Sequence, residues 1–247
     1  MKVNQMKFVL FLLVFIPFSF YPQTNTEMEM IPGTQTHHKI EKEIHLNYLL
    51  YLPEDYDPDK EGGYPTILFL HGAGERGDNL DVLTQWGPPK IAHEKGMPFI
   101  VISPQCPKDE WWTSRIYHLK NLLDESIKTY NIDTSRIYLT GLSMGGYGTF
   151  ALSQVYPEYF AAVAPICGGG TPSMVNFKKA PPTWVFHGDE DDVVPIESSQ
   201  IMVDAIRASG TEVRFTIYEG VGHNSFTRAY NESNLFNWFL EHKKSIR

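Results

Sequence analysis

Short apolar runs rich in β-branched residues alternate with helical patterns along most of the 247-residue chain. Residues 44–52 alternate apolar and polar positions and predict an edge hairpin with the segment before them. Six further runs predict inner strands, at 66–70, 99–102, 137–140, 161–166, 183–186 and 213–218. Strands that alternate with helices favour a mostly parallel α/β sheet with helices on both faces.

The helical patterns lie between these runs. Apolar residues recur at spacings of three and four from Ile116 to Tyr130, which predicts a helix with one face on the sheet. Residues 144–156 and 197–208 predict two more helices, and the apolar residues at 235–239 predict a closing one. Only residues 167–182 separate two of the predicted strands, which is too short for a cap domain. We therefore expect a site above the sheet to be open.

Composition and charge narrow the class of protein. A chain with 42% apolar and 13% aromatic residues can bury one substantial core, so we expect a single domain over residues 23–247. The formal net charge of −8 argues against nucleic acid and anionic membranes as partners, because both select basic patches.

Residues 1–22 have a composition of their own, with a short basic start, an apolar run at 8–16 and then Pro17. The run is shorter than the roughly 20 residues that span a bilayer, and it predicts a signal peptide. An uncleaved N-terminal anchor is the alternative, because the small residues of a cleavage site are scarce near residues 19–23. We expect a periplasmic or extracellular protein without stable membrane insertion after signal removal.

The sequence contains two cysteines, Cys106 and Cys167. An exported protein could oxidise them, but both follow predicted strand ends on different parts of the sheet. A disulfide requires Cα atoms within about 7 Å, so we expect two buried free thiols.

The strongest chemical signal surrounds Ser143, which follows the apolar run 137–140 and lies between Gly141 and Gly145. A strand that turns sharply into a helix with serine at the apex crowds the positions two residues before and after it, so both favour glycine. This pattern predicts a nucleophile elbow, with an ordinary turn and a serine N-cap as the alternative. The backbone amide of Met144, at the start of the following helix, is a predicted oxyanion donor.

A serine nucleophile requires a base and an acid that orients the base. His223 follows the last predicted strand, where a loop can bring its imidazole over the sheet. His71 and His187 each precede a glycine at a strand end and are predicted to be structural. Four carboxylates follow the strand at 183–186, namely Asp189, Glu190, Asp191 and Asp192.

Three motifs together resemble the α/β-hydrolase superfamily. They are G-x-S-M-G-G at 141–146, H-G-x-x-D-x-x-V-P at 187–195 and G-x-G-H at 220–223. The resemblance implies an α/β-hydrolase fold, the acid at Asp191, and a second oxyanion donor at the backbone amide of Ala73.

Further segments at 70–77, 103–107, 136–141 and 164–169 resemble exported carboxylesterases. This branch is similar to the phospholipase/carboxylesterase, dienelactone hydrolase and feruloyl or acetylxylan esterase groups, some of which are called predicted peptidases. The resemblance implies hydrolysis of short-chain or aromatic acyl esters through an acyl-enzyme, without a cofactor. The substrate would be a small ester or one linked to plant polysaccharide. No cluster at metal-ligand spacing stands out, so we expect no metal.

Five residues are candidates for substrate binding. Trp86, Trp111 and Trp112 follow the first two inner strands and could form aromatic walls for a sugar or phenolic group, or else pack in the core. Glu75 and Arg76 lie beside the predicted oxyanion loop, where they could bind a polar leaving group or form a salt bridge with each other.

Two other functions compete with the esterase. A serine peptidase of the prolyl oligopeptidase type shares the elbow and the order of the triad, but this group usually adds a large N-terminal domain. A binding module on an inactive hydrolase scaffold usually lacks the serine or the histidine, and this chain has both.

Overall fold

The computed structural model describes residues 32–39, 46–175 and 180–245. The predicted signal peptide at residues 1–22 lies outside these ranges, so export and the start of the domain remain predictions. None of the helices in the described part of the chain is long and apolar enough to cross a bilayer.

An eight-stranded sheet forms the centre, in the order β1-β2-β4-β3-β5-β6-β7-β8. The first two strands form the predicted edge hairpin, with Gln35 opposite Tyr51, and β2 also pairs with β4 in antiparallel orientation. The pairs from β4 through β8 are parallel. The strands are β1 (Gln35–Lys39), β2 (Asn47–Tyr51), β3 (Tyr64–Leu70), β4 (Ile100–Pro104), β5 (Ile132–Leu142), β6 (Ala162–Ile166), β7 (Thr183–Gly188) and β8 (Val213–Tyr218).

The prediction that 213–218 is an inner strand is wrong. This segment is β8, which pairs with β7 and lies at the sheet edge. Polar Arg214 and Thr216 interrupt its apolar run, and the side chain of Ile217 is 49% exposed. An apolar run of this length is compatible with an edge as well as with the centre of a sheet.

In the described ranges, six α-helices surround the sheet. The structure contains the four predicted helices, and it adds α1 and α5, which the apolar spacing did not predict. The helices are α1 (Gly87–Lys95), α2 (Ile116–Thr129), α3 (Met144–Val155), α4 (Glu197–Ala208), α5 (Ser225–Asn231) and α6 (Leu235–Leu240). Short 3₁₀ helices occupy Ala73–Glu75, Leu80–Gln85, Trp112–Ser114, Pro157–Tyr159 and Pro172–Met174.

Alternate residues of β3 enter two separate cores. Leu68 and Leu70 pack with Leu119 of α2 on one face, whereas Ile67 and Phe69 belong to the core of the other face. The second core also contains apolar residues of α1, α5 and α6. The sheet therefore carries helices on both faces, as predicted, and the fold is that of an α/β-hydrolase. Among the described residues between β6 and β7, regular structure is limited to one 3₁₀ turn, so a cap domain does not arise there.

Cys106 and Cys167 are buried and unpaired with each other. The expectation of two buried free thiols is confirmed.

Candidate active site

The predicted elbow lies between β5 and α3, with Ser143 as the single residue that separates them. Ser143 has a φ of 54° and a ψ of −116°. This backbone conformation is strained for any residue that carries a Cβ atom. The amide of Ser143 donates to the carbonyl oxygen of Ile166 at 2.9 Å, which ties this backbone to β6.

The flanking glycines are required by close backbone contacts. A Cβ atom on Gly145 would lie 1.8 Å from the carbonyl oxygen of Leu70, and one on Gly141 would lie 2.5 Å from the carbonyl oxygen of Gly145. Any larger residue would have to displace the backbone. The sequence pattern therefore corresponds to a steric requirement of the turn.

Three predicted residues, distant in the sequence, form one hydrogen-bonded chain. The Nε2 atom of His223 lies 2.9 Å from Oγ of Ser143, and its Nδ1 atom lies 2.8 Å from Oδ2 of Asp191. Because an ionised carboxylate only accepts hydrogen bonds, Nδ1 carries the proton and Nε2 is free to accept one from the serine hydroxyl.

Asp191 is held in its charged form by several donors. Its Oδ1 atom accepts the amide protons of Val193 at 3.0 Å and Val194 at 2.8 Å. Burial alone would raise the pKa of this carboxyl, but the hydrogen bonds from Val194, His223 and Val193 outweigh burial and hold the pKa below its ordinary value.

The neighbouring carboxylates have other surroundings. Asp189 is exposed, and its Oδ1 atom accepts the amide proton of Gly220 at 2.7 Å. Glu190 and Asp192 are also exposed. Of the four candidates, Asp191 is the carboxylate that contacts His223.

His187 lies behind this carboxylate and is completely buried. Its Nδ1 atom is 2.7 Å from Oγ of Ser199, and its Nε2 atom is 2.8 Å from the carbonyl oxygen of Val194. Burial lowers the pKa of His187, so the ring is neutral at neutral pH. These contacts fit the predicted structural role.

The two predicted oxyanion donors belong to neighbouring parallel strands. Ala73 begins the 3₁₀ helix that follows β3, and Met144 begins α3 after β5. Leu70 is paired with Gly141, so the two loops leave the sheet at the same end. The amides at a helix N-terminus lack carbonyl partners in their own helix, and the helix dipole favours negative charge there.

The loop that carries Ala73 is fixed by a network around His71. The ring of His71 donates from Nδ1 to the carbonyl oxygen of Gly72 at 2.6 Å, and its Nε2 atom accepts the amide proton of Cys106 at 2.9 Å. Burial lowers the pKa of His71 to about 4, which keeps the ring neutral. Gln105 adds a further tie, because its Nε2 atom donates to the carbonyl oxygen of Glu75 at 2.8 Å.

Trp112 belongs to this network, and the expectation that it forms a substrate wall is wrong. The residue is 0% exposed, and its indole Nε1 donates to the carbonyl oxygen of His71 at 3.0 Å. A buried indole whose N–H needs a partner is satisfied by this carbonyl group. Trp112 therefore supports the loop that carries Ala73 through its hydrogen bond to His71.

The other two tryptophans remain accessible to different degrees. Trp111 is 52% exposed, and the guanidinium of Arg76 lies 5.0 Å above its ring. Trp86 is partly buried and meets Phe226 edge to face at 5.3 Å, while Phe226 also meets the ring of His223 at 6.4 Å.

The expected salt bridge between Glu75 and Arg76 does not form between these two described residues. Arg76 donates from Nε to the carbonyl oxygen of Ala73 at 3.0 Å and also reaches the carbonyl oxygen of Glu110 at 3.3 Å. The Glu75 side chain is 13% exposed and turns towards His71, 3.8 Å away. Burial raises the pKa of Glu75. Arg76 thus braces the loop through backbone carbonyl groups.

Cys167 is a neighbour of the site that the sequence did not indicate. Its thiol lies within 4.8 Å of ligand-type atoms of Asp191 and His223. Its φ of 39° is the second positive value among the described non-glycine residues. Burial raises the pKa of Cys167 to about 12, so the thiol is protonated at neutral pH. The carboxylate and the imidazole of this group are hydrogen-bonded to each other.

Comparisons with known proteins assign the chain to a family of esterases. A sequence model of the phospholipase/carboxylesterase family matches residues 97–236, which is more than half of the chain. A bifunctional acetylxylan esterase/xylanase of Neocallimastix patriciarum is 32% identical over 165 residues, which are 62% of this chain and 22% of that relative. A poly(3-hydroxyoctanoate) depolymerase of Pseudomonas fluorescens is 30% identical over 211 residues, which are 73% of this chain and 75% of the relative.

A solved structure described as a thermostable esterase is 34% identical and superimposes with a TM-score of 0.72. The match covers 85% of this chain and 63% of that one. Together with the match over residues 97–236, this likeness shows that the chain belongs to the phospholipase/carboxylesterase family of α/β-hydrolases.

Proposed function

We propose that the protein is a serine carboxylic-ester hydrolase in which Ser143 is the nucleophile, His223 the general base and Asp191 the orienting acid. The observation that carries the proposal is the hydrogen-bonded chain from Oγ of Ser143 through both ring nitrogens of His223 to Asp191, at 2.9 and 2.8 Å. The catalytic unit would be a single domain over residues 23–247, exported after removal of residues 1–22.

The first half of the reaction forms an acyl-enzyme. Nε2 of His223 takes the hydroxyl proton while Oγ of Ser143 attacks the ester carbonyl carbon. The negative charge then moves to the carbonyl oxygen, where the amides of Ala73 and Met144 stabilise it, each by about 3 kcal/mol. The tetrahedral intermediate collapses, and His223 gives its proton to the departing alcohol.

The second half releases the acid. His223 takes a proton from water, the resulting hydroxide attacks the acyl-enzyme, and Oγ of Ser143 leaves with the proton returned by the imidazole. Every proton in this cycle moves through Nε2. The proposed reaction uses protein groups and water, without a metal or an organic cofactor.

The proposed substrates are short-chain or aromatic acyl esters, either small or linked to plant polysaccharide. The names of several relatives support this choice, since they include the acetylxylan esterase/xylanase, a second acetylxylan esterase and a feruloyl esterase. Trp111 offers an exposed indole beside the oxyanion loop for an aromatic or sugar ring. The partly buried Trp86 could contribute a second wall near His223.

A substrate panel tests the proposal. Initial rates are measured on p-nitrophenyl acetate, butyrate and octanoate, methyl ferulate, acetylated xylan and a peptide p-nitroanilide. We expect turnover of the esters, none of the anilide, and a loss of about 10⁴-fold or more in Ser143→Ala. Comparable cleavage of the anilide would instead identify a serine peptidase.

A fluorophosphonate probe separates both enzymes from a binding module on an inactive scaffold. The probe should label the wild-type protein and leave Ser143→Ala unlabelled. A folded wild-type protein that resists the probe would contradict both the esterase and the peptidase.

A further inference from the structure

A groove of about 370 Å³ runs along α3, beginning one helical turn after Ser143. One wall consists of Thr113 and Ile116, at the start of α2 and just before it. The facing wall is the segment after β6, which contributes Thr171 and Met174. Its volume falls within the range of pockets that bind small molecules or single units of a polymer, about 300–1,000 Å³.

The groove adjoins the elements that carry the candidate active site. The amide of Tyr147, which lines the groove, donates to the carbonyl oxygen of Ser143 at 3.1 Å. The segment that supports Ser143 through Ile166 continues directly into the groove wall. There the backbone of Gly169 packs so closely on Tyr147 that a Cβ atom would lie 2.9 Å from its ring. The same two elements therefore form both the elbow and the near end of the groove.

The wall formed by the segment after β6 is fixed by hydrogen bonds before any ligand binds. The side-chain amide of Gln154 on α3 donates to the carbonyl oxygen of Thr171 at 3.0 Å. The amide of Met174 donates to the same carbonyl oxygen at 3.0 Å. A wall held in this way does not have to be ordered on binding, which reduces the entropic cost of association.

The lining is uncharged and mixes polar and apolar groups. Hydroxyl groups of Thr113, Tyr147 and Thr171 are placed among the apolar side chains of Ile116 and Met174. An ionic ligand would find no counter-charge among these groups and would lose its hydration. A purely aliphatic chain would leave the hydroxyl groups without partners. A neutral sugar offers both hydroxyl groups and apolar C–H faces, so it satisfies both kinds of lining.

We propose that this groove binds the neutral carbohydrate chain that carries the scissile ester. The inference rests on the proposed function, because a carbohydrate in the groove is useful only if Ser143 attacks an ester attached to it. Bulky substitutions at two positions of the groove, Met174→Trp in the segment after β6 and Val155→Trp at the end of α3, should obstruct the chain, since both side chains line the groove and are exposed. Ile217→Trp is the matched control, because Ile217 has the same 49% exposure as Met174 and lies on the edge strand β8.

Two kinetic substrates give the first readout, acetylated xylohexaose and p-nitrophenyl acetate. The ratio of their kcat/KM values should fall about tenfold in each groove variant, mainly through KM for the oligosaccharide, and should not change in Ile217→Trp. An unchanged ratio in both groove variants would overturn the inference. A loss on p-nitrophenyl octanoate in place of the oligosaccharide would also overturn it and identify an acyl-chain groove.

Binding to the Ser143→Ala protein separates this inference from the proposed function, because binding requires no turnover. Calorimetry should detect acetylated xylohexaose binding to Ser143→Ala, with an affinity about tenfold weaker when Met174→Trp is added. If the wild-type protein hydrolyses none of the esters but this difference persists, the esterase proposal fails, the ester-positioning role of the groove fails with it, and carbohydrate binding by the groove stands alone. If the esters are hydrolysed but Met174→Trp leaves oligosaccharide binding unchanged, or none is detected, the groove proposal fails alone.

Discussion

Substitution Asp191→Asn tests the proposed triad through the tautomer of His223. In the wild-type protein, Oδ1 of Asp191 accepts two backbone amide protons, from Val193 and Val194. An asparagine would keep its carbonyl oxygen at that position, because its NH₂ group cannot accept these protons. The NH₂ group would then face Nδ1 of His223, 2.8 Å away, where the carboxylate oxygen now lies.

An NH₂ donor at this distance favours the tautomer in which Nδ1 accepts and the ring proton lies on Nε2, against the longer 3.0 Å contact of Nδ1 with the retained oxygen. The nitrogen next to Ser143 can then no longer take the serine proton. Loss of the correct tautomer in such a triad costs about 10⁴-fold in kcat, which corresponds to about 5 kcal/mol of transition-state stabilisation. The KM for p-nitrophenyl acetate should change little, because the substitution leaves the oxyanion loop and the groove untouched.

The matched control is Asp189→Asn. Asp189 lies two residues away, is exposed, and accepts one amide proton from Gly220, which an asparagine oxygen can also accept. We expect its kcat to stay within about threefold of the wild-type value. Both variants are checked for folding by circular dichroism. If Asp189→Asn proves far more damaging than Asp191→Asn, the assignment of the acid is wrong.

Two further predictions concern the folding of the site. Gly145→Ala should destabilise the protein by about 3 kcal/mol or more, because its Cβ atom would lie 1.8 Å from the carbonyl oxygen of Leu70. Gly74→Ala, with no atom within 4 Å of the added Cβ, is its control, and equal thermal stability of the two variants would refute the steric argument. Burial lowers the pKa of His71 from 6.5 to about 4, so the unfolded chain binds the extra proton first as pH falls. His71 alone should therefore lower the free energy of unfolding by up to about 3 kcal/mol between pH 6.5 and 4, and His187, whose pKa is also lowered by burial, adds a decrease of its own. Urea titrations at both pH values should show a smaller decrease in the free energy of unfolding for His71→Gln than for the wild-type protein. An equal decrease in the two proteins would show that His71 does not cause this pH dependence.

The parts of the fold that local pattern determines were predictable from the sequence. The spacing of apolar residues predicted a helix from Ile116 to Tyr130, and α2 spans Ile116–Thr129. The elbow was equally visible, because the glycines that it requires lie within two positions of Ser143, although the atom nearest to a Cβ on Gly145 belongs to Leu70 of β3. In both cases the residues that carry the signal lie close together in the sequence.

The features that sequence reasoning missed depend on contacts between distant segments. A tryptophan in the sequence gives no sign of whether it lies in the core or at the surface. Trp112 can be buried because its indole N–H donates to the carbonyl group of His71. Arg76 could have paired with Glu75, yet carbonyl groups of Ala73 and Glu110 bind it instead. The short helices α1 and α5 were not predicted: α1 begins with Gly-Pro-Pro and has a weakly amphipathic sequence, while α5 spans only seven residues.

The position of His223 shows how the sheet order itself shapes the site. His223 follows the edge strand β8, whereas Ser143 follows β5, and the order β5-β6-β7-β8 separates them by three strand spacings. Three spacings amount to about 14 Å, which is farther than an imidazole side chain can reach. The loop after β8 must therefore run back across the end of β7.

Close contacts with the end of β7 show where this crossing occurs. A Cβ atom on Gly188, the last residue of β7, would lie 2.0 Å from the carbonyl oxygen of Val221. That carbonyl group also accepts the amide proton of Glu190 at 3.1 Å, which joins the loop of His223 to the loop of Asp191. The glycine in the His187-Gly188 pair thus allows one loop to lie on another, and Asp191 and His223, the proposed acid and base, are held together. The edge position of β8, which the apolar run did not reveal, is therefore compatible with the proposed triad because a glycine ends the neighbouring strand.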